Sequence, residues 1–242
     1  MIILIGFPKS ATSSFNELFK NIGYNSYHQF YNEIPIAKII KMNMLNDLPM
    51  LNGFPKDIAL TQIDYCWPHF TFFPQIEYYQ KLYEENKDSV FILNKRSPHE
   101  ILKSIKKWKD YYIRLFIYGS YLFTEIEGTT KDKKFINLLN KHYDNIESFF
   151  NKLPDAKFIS YDINKDSIVK LSPYINIKKE IMLPHVNKAT PVVDKCLRDT
   201  CIYLKHPEID NNDGTHCCVA CRDFGIHGPN CMREMYNLRP IN

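Results

Sequence analysis

The 242-residue sequence predicts an α/β fold, a three-layer parallel sheet flanked by helices, with a small Cys-rich C-terminal extension. Continuous apolar runs at residues 2–5 and 89–94 are typical of strands that are buried on both faces of a parallel sheet. Segments with helical spacing separate the predicted strands, so the connections are of the parallel type. Six of the seven cysteines lie between Cys196 and Cys231. We therefore expect a main domain at residues 1–190 and a helix plus Cys-rich cap at residues 191–242.

The first predicted strand leads into a loop with the layout of an anion site. Gly6 and Pro8 end the apolar run, and an apolar helical spacing begins at Phe15. A loop between a strand and a helix directs backbone N–H groups and the positive end of the helix dipole at one point, where Lys9 adds a positive charge. Hydroxyl donors are supplied by Ser10, Thr12, Ser13 and Ser14. The loop is therefore predicted to bind phosphate; an ordinary N-capped turn is the alternative.

The other elements follow from apolar spacing and turn residues. Ser97 and Pro98 form a good helix opening, with serine at the cap and proline in the first turn. Helices are predicted at residues 34–44 and 75–85, after Ser97, and throughout residues 111–150. Further strands are predicted at residues 58–63 and 157–160.

A second basic element follows the strand at residues 89–94. Arg96 stands at the carboxyl end of that strand, where ligands bind in open parallel sheets. Ser104 lies eight residues later on the next helix, and an arginine and a serine together can hold a phosphate. A surface arginine and a serine bonded within its own turn are the alternative. Asn94 and Lys95 stand where a magnesium-dependent kinase needs an aspartate, which disfavours the competing interpretation as a nucleotide or small-molecule kinase.

Residues 6–14 resemble the 5′-phosphosulfate loop of sulfotransferases, which transfer a sulfuryl group from 3′-phosphoadenosine 5′-phosphosulfate (PAPS). The spacing of Arg96 and Ser104 is similar to the 3′-phosphate element of that family. The resemblance implies a P-loop NTPase-like sulfotransferase fold, a hydroxyl or amine acceptor, and Lys9 as the catalytic cation. Ala11 stands where the family usually has glycine. The residues that the resemblance implies for PAPS binding are Pro8, Lys9, Ser10, Ala11, Thr12, Ser13, Ser14, Arg96 and Ser104.

The acceptor hydroxyl must also lose a proton, and many family members use a histidine or glutamate between the two phosphate elements for this. The candidates are Asp64, His69 and, less well placed, Glu77. Asp64 follows a predicted strand, and its spacing to Pro68 resembles an aspartate-proline segment in one branch of the family. His69 has the more suitable intrinsic pKa. Ordinary loop polarity is the alternative for each candidate.

The carboxyl-terminal region has its own pattern. Cys218, Cys221, His227 and Cys231 give C-x2-C-x5-H-x3-C, one residue removed from a zinc knuckle, which in a reducing cytosol suggests tetrahedral zinc. In an oxidising compartment the six clustered cysteines are enough for three disulfides, and both interpretations stay open. A knuckle-like tail also leaves open a non-catalytic binding module for single-stranded nucleic acid or a protein.

Composition restricts the partners. The net charge of +4 suits an anionic ligand but is too small to indicate nucleic acid, so no nucleic-acid partner is expected. No apolar stretch approaches the ~20 residues that cross a bilayer, and the first apolar run is too short for a signal peptide. We expect a cytoplasmic enzyme without membrane attachment, with a Golgi sulfotransferase trimmed of its anchor as the alternative. The class of hydroxyl-bearing acceptor and the oligomeric state stay open.

Overall fold

A computed structural model describes residues 1–68, 70–177 and 182–184, with Lys109 described in its backbone alone. Within these residues the strands are β1 (Ile2–Leu4), β2 (Asn25–His28), β3 (Phe30–Tyr31), β4 (Ile34–Pro35), β5 (Ile58–Gln62), β6 (Tyr65–Trp67), β7 (Phe70–Phe72), β8 (Val90–Lys95) and β9 (Phe158–Asp162). The α-helices are α1 (Thr12–Asn21), α2 (Ile36–Leu45), α3 (Pro74–Glu77), α4 (Tyr79–Glu84), α5 (Pro98–Lys107), α6 (Lys109–Tyr118) and α7 (Lys131–Phe150). Short 3-10 helices form at Ser120–Phe123 and Ile168–Leu171.

The first strand lies at the centre of a five-stranded parallel sheet with the order β2-β5-β1-β8-β9. Ile3 pairs with Leu60 of β5 on one side and with Phe91 of β8 on the other, and all three side chains are fully buried. Burial on both faces explains why these runs are continuously apolar. The predicted α/β fold with a parallel sheet is therefore confirmed for the described residues. The carboxyl ends of β1, β5 and β8 share one edge of the sheet, and the loops that follow them meet there.

Side chains of β1 alternate between the two faces of the sheet and so anchor two separate cores. Ile3 and Ile5 pack in one cluster with residues of α2, α4 and α7. Ile2 and Leu4 pack in the other with the apolar face of α1. A third cluster surrounds Phe7, directly after the strand, and includes residues of α5, α6 and α7. The loop after β1 is thus held by buried contacts as well as by its own backbone.

The second strand of the structure was missed by the sequence analysis. Asn25–His28 forms β2 at the edge of the sheet, where it pairs with β5 alone. An edge strand needs no continuous apolar run, and only Ser26 in β2 is buried. The antiparallel pairs β3–β4 and β6–β7 were not predicted either, because each contains only two or three residues per strand.

Two predicted helices are interrupted in the structure. The segment 75–85 divides at Tyr78, whose backbone leaves the helical region between α3 and α4. The segment 111–150 was wrongly expected to be helical throughout. Helix α6 ends at Tyr118, and α7 begins only after Thr130, whose hydroxyl accepts from Lys133 N–H. Gly128 between them has φ 149°, and a Cβ there would lie 2.8 Å from Lys134 N. Apolar spacing continues across both breaks, so it could not reveal them.

One other helix boundary differs slightly from the prediction. The helix predicted at residues 34–44 begins at Ile36, because residues 34–35 form β4. Ser97 is the N-cap of α5, as predicted, but its side chain makes no capping hydrogen bond. In the described part of the chain, no helix is both long enough and apolar enough to cross a membrane.

Candidate functional site

The loop after β1 is tied to the end of β8 by one buried amide. Gly6 N–H donates to Asn94 Oδ1 at 3.0 Å, and Asn94 Nδ2 donates to the Ser10 carbonyl at 2.7 Å. Asn94 is fully buried, and both ends of its side chain are used to close the loop. The sequence analysis noticed Asn94 only as a missing carboxylate. The structure shows that this residue bonds both ends of the loop through its side-chain amide.

Because Gly6 lies against this amide, replacing it with alanine should destabilise the protein. A Cβ at Gly6 would lie 2.4 Å from the Asn94 carbonyl oxygen and 2.5 Å from Asn94 Oδ1, so the loop or β8 must shift. We expect Gly6→Ala to lower the free energy of unfolding by about 2 kcal/mol or more. Gly53→Ala is the comparison, because Gly53 has φ 86° but no atom within 4 Å of its Cβ position, and it should cost only about 1 kcal/mol. Urea unfolding of both variants measures the difference, and equal losses would contradict the contact.

Two residues of the loop have left-handed backbone conformations. Lys9 has φ 73° and Ala11 has φ 62°, which costs a residue with a Cβ about 1–2 kcal/mol. The conformation at Ala11 explains why glycine suits this position. Ala11 is also the N-cap of α1. Its side chain makes no capping hydrogen bond, and its carbonyl accepts the first helical hydrogen bond from Phe15 N–H. The positive end of the α1 dipole therefore faces the loop.

The hydroxyl residues at the start of α1 contact a histidine that the sequence analysis missed. His28 Nε2 lies 3.1 Å from Thr12 Oγ1 and 3.2 Å from Ser13 Oγ. Burial, followed by the positive charge of Lys9, lowers the pKa of His28 to about 4, so the ring is neutral at pH 7. His28 is the last residue of β2. Because the sequence analysis did not predict β2, it could not place His28 beside the loop. Of the other predicted loop residues, Pro8, Ser10 and Ser14 are buried.

The predicted catalytic cation lies at the centre of this arrangement. Burial, followed by the positive charge of Arg96, lowers the pKa of Lys9 to about 8. The ammonium lies 3.6 Å from the centre of the Trp108 ring. Among the described residues no carboxylate forms an ion pair with Lys9. Lys9 thus places a positive charge at the loop, against the face of Trp108.

Arg96 is placed beside the same loop. Its Nη1 donates to the Lys9 carbonyl at 3.3 Å, and its Nε donates to Glu100 Oε2 at 3.3 Å. Glu100 also accepts from Asn164 Nδ2 at 2.6 Å. Ser104 is half-buried on α5, one turn beyond Glu100 and on the same face of the helix. The two predicted phosphate elements, which are separated by more than 80 residues, are thus neighbours in space.

Asp64 lies just beyond the carboxyl end of β5 and is joined to the loop through amides. It is only 2% exposed, with Gln62 Nε2 donating to Oδ2 at 3.2 Å and Gln75 Nε2 donating to Oδ1 at 2.9 Å. Thr12 Oγ1 in turn donates to Gln62 Oε1 at 3.3 Å. Burial raises the pKa of Asp64 to about 7, in spite of these hydrogen bonds, which is a suitable value for a general base at neutral pH.

The other sequence candidates have different positions. Glu77 Oε1 accepts from Phe73 N–H and from the Tyr121 hydroxyl, so it is engaged within α3 and its neighbours. His69 lies outside the described residues. The predicted zinc or disulfide residues of the tail are also outside them: Cys218, Cys221, His227 and Cys231. Within the ranges that the structure covers, no group of three His, Cys, Asp or Glu residues could hold a metal ion.

The arrangement has the chemistry of a site for an anion with two charged groups. A helix N-terminus and the ammonium of Lys9 provide positive charge at one point, and the guanidinium of Arg96 provides it at another. The buried carboxyl of Asp64 is connected to the same loop and can exchange a proton near pH 7. Such a site can hold an anionic donor and remove a proton from an acceptor.

Comparison with known proteins agrees with this geometry. The family model described as a sulfotransferase domain matches residues 1–191, which is more than three quarters of the chain. A comparison with curated proteins finds no match. The matched region contains the loop after β1, the end of β8 and Asp64. The chain therefore belongs to the sulfotransferase family.

Proposed function

We propose that this chain transfers a sulfuryl group from PAPS to a hydroxyl group of an acceptor. The observation that carries the proposal is the 3.3 Å hydrogen bond from Arg96 to the Lys9 carbonyl, because it joins Arg96 to the loop after β1 and so supports a single binding site for both. One molecule with phosphates at both its 3′ and 5′ positions can then engage both elements. Arg96 and Ser104 are assigned to the 3′-phosphate, and Lys9 and residues 10–14 to the 5′ side.

The residues fit this donor in charge and hydrogen-bonding type. When bound, PAPS supplies an activated sulfuryl group, and its transfer leaves adenosine 3′,5′-bisphosphate (PAP). The Lys9 ammonium stabilises negative charge on the leaving phosphate oxygen, which develops in the transition state as the S–O bond breaks. The loop and the start of α1 orient the 5′ group through backbone N–H groups and hydroxyls. Asp64 accepts the proton of the acceptor hydroxyl as the new O–S bond forms.

The proposal is tested first by ligand stabilisation. PAP should raise the melting temperature of the protein by several degrees at concentrations well above its Kd, because it binds the folded state alone. AMP lacks the 3′-phosphate and should stabilise the protein less. ATP with Mg²⁺ should have a smaller effect than PAP; a larger effect would indicate a kinase. No response to any of these ligands would indicate a non-catalytic binding module. Transfer from labelled PAPS to a panel of hydroxyl acceptors then identifies the reaction.

The Arg96–Glu100 ion pair predicts that substitutions of its two residues change PAP binding in opposite directions. Arg96→Ala should weaken PAP binding by about 10- to 100-fold and leave AMP binding nearly unchanged, since a charge-assisted bond to phosphate contributes about 1.5–3 kcal/mol. Glu100→Gln should tighten PAP binding several-fold, because a carboxylate beside Arg96 competes with a phosphate. Calorimetric titration measures both. If Arg96→Ala weakened PAP and AMP binding equally, Arg96 would not be the 3′-phosphate residue.

A further inference from the structure

The proposed chemistry does not explain the contact between Lys9 and Trp108. The Lys9 ammonium lies over the indole ring, 3.6 Å from its centre, within the range of a strong cation–π interaction. Among the described residues, the charge that shifts the pKa of Lys9 is the repulsive charge of Arg96, which adds to the effect of burial. Within the described residues, the ring of Trp108 thus gives this ammonium an attractive partner.

Trp108 is well placed to hold a partner in a fixed position. It forms the joint between α5 and α6. Its backbone N–H donates to the Ile105 carbonyl at 3.0 Å, and its backbone carbonyl accepts from Tyr111 N–H at 2.9 Å. Ile101 and Ile105 of α5 are fully buried in the same cluster as Phe7 of the loop. Packing therefore fixes the backbone of Trp108 relative to the loop. The side chain is 44% exposed, so its position is not required to fill the core.

An indole face differs from a carboxylate as a partner for a catalytic lysine. A carboxylate would attract the ammonium more strongly, but it would also neutralise the charge and repel an anionic donor. The ring quadrupole attracts the cation without adding a negative charge to the site. We propose that Trp108 is a positioning residue, whose indole face holds the Lys9 ammonium at the loop while leaving its full charge for the donor. This inference rests on the proposed function of Lys9.

The activity test compares two substitutions of Trp108. Trp108→Leu keeps an apolar side chain but has no ring, and we expect kcat/KM to fall about tenfold, which corresponds to about 1.4 kcal/mol. Trp108→Phe keeps a weaker ring face and should recover most of the loss. Tyr112→Leu is the control on α6, which begins directly after Trp108: it removes the ring that lies 5.3 Å from Lys106 and a hydrogen bond to Asp132, and it should leave kcat/KM unchanged.

A pH profile separates positioning from a general loss of structure. Lys9 must be protonated to act, so kcat/KM of the free enzyme should fall as the pH rises through the pKa of Lys9, about 8. The ring stabilises the protonated form, so Trp108→Leu should move this alkaline limb to lower pH by about half a unit or more. A purely structural role would lower the rate at every pH without moving the limb.

Fluorescence gives a readout that needs neither donor nor turnover. The chain has two tryptophans, so Trp67→Phe leaves Trp108 as the single reporter. Its emission should change with pH with a midpoint near 8, the pKa of Lys9, and the change should be absent in the double variant Trp67→Phe/Lys9→Met. An unchanged emission across that pH range would overturn the inference, even if Trp108→Leu failed to fold. Wild-type protein that neither binds PAP nor transfers sulfate would instead overturn the proposed function.

Discussion

Lys9→Met should lower kcat by about 100- to 1,000-fold while the protein remains folded, since removing one preorganised donor to a developing charge has effects of this size. Methionine keeps the length of the side chain but removes the charge that stabilises the leaving phosphate oxygen. The pKa of Lys9 is lowered to about 8 mainly by burial, so loss of this ammonium also removes a desolvation cost, and the melting temperature should not fall. Single-turnover transfer from labelled PAPS and thermal unfolding measure the two quantities.

A second lysine provides the control for this variant. Lys41 lies over the Phe72 ring at 5.1 Å, on α2 and outside the proposed site, so Lys41→Met removes the same charge and a similar ring contact. It should leave kcat unchanged. The catalytic assignment of Lys9 would be wrong if Lys9→Met retained activity within a few-fold of the wild type.

Asp64→Asn should lower kcat/KM by about 100-fold or more, because an amide cannot accept the proton of the acceptor hydroxyl. In the wild type, activity should rise as the pH rises through about 7, where Asp64 loses its proton, and fall again through about 8, where Lys9 loses its own. The resulting pH profile is a narrow bell. Asp64→Asn should remove the acidic limb and leave the alkaline limb in place. Loss of activity with an unchanged acidic limb would assign the base elsewhere.

Stability provides an independent check on Asp64. Burial raises its pKa in the folded protein to about 7, above the ordinary aspartate value of 3.8 that applies to the unfolded chain. Between these values the folded state binds more protons than the unfolded state, so stability falls as the pH rises from about 4 to 7. Asp64→Asn should flatten this part of the curve of melting temperature against pH. Asp132→Asn, at a partly exposed carboxylate, serves as the control and should preserve it.

The strand and loop at the amino terminus could be predicted because the signal is local. A short apolar run, Gly6 and Pro8 that end it, and the helical spacing from Phe15 all lie within a few residues of one another. The same is true of β8 with Arg96 at its end. Each pattern reports the burial of one element and the turn beside it, and this information does not depend on the other elements.

Other features of the site depend on contacts between distant segments. Asn94 bonds to Gly6, which is 88 residues away in the sequence. Arg96 bonds to the Lys9 carbonyl, which is 87 residues away. Trp108 contacts Lys9 only because the break between α5 and α6 occurs beside the loop. No spacing in the sequence predicts these contacts, since they follow from the order of strands in the sheet.

The sequence by itself determined that the buried strands β1, β5 and β8 form, which residue types stand at their ends, and thereby the family to which the chain belongs. The tertiary structure alone decided that Arg96 lies against the loop, that Asp64 is buried among amides, and that His28 contacts Thr12 and Trp108 contacts Lys9. The physical reason is that periodicity records how one element is buried. The charge, pKa and partners of a side chain depend instead on which elements are packed around it.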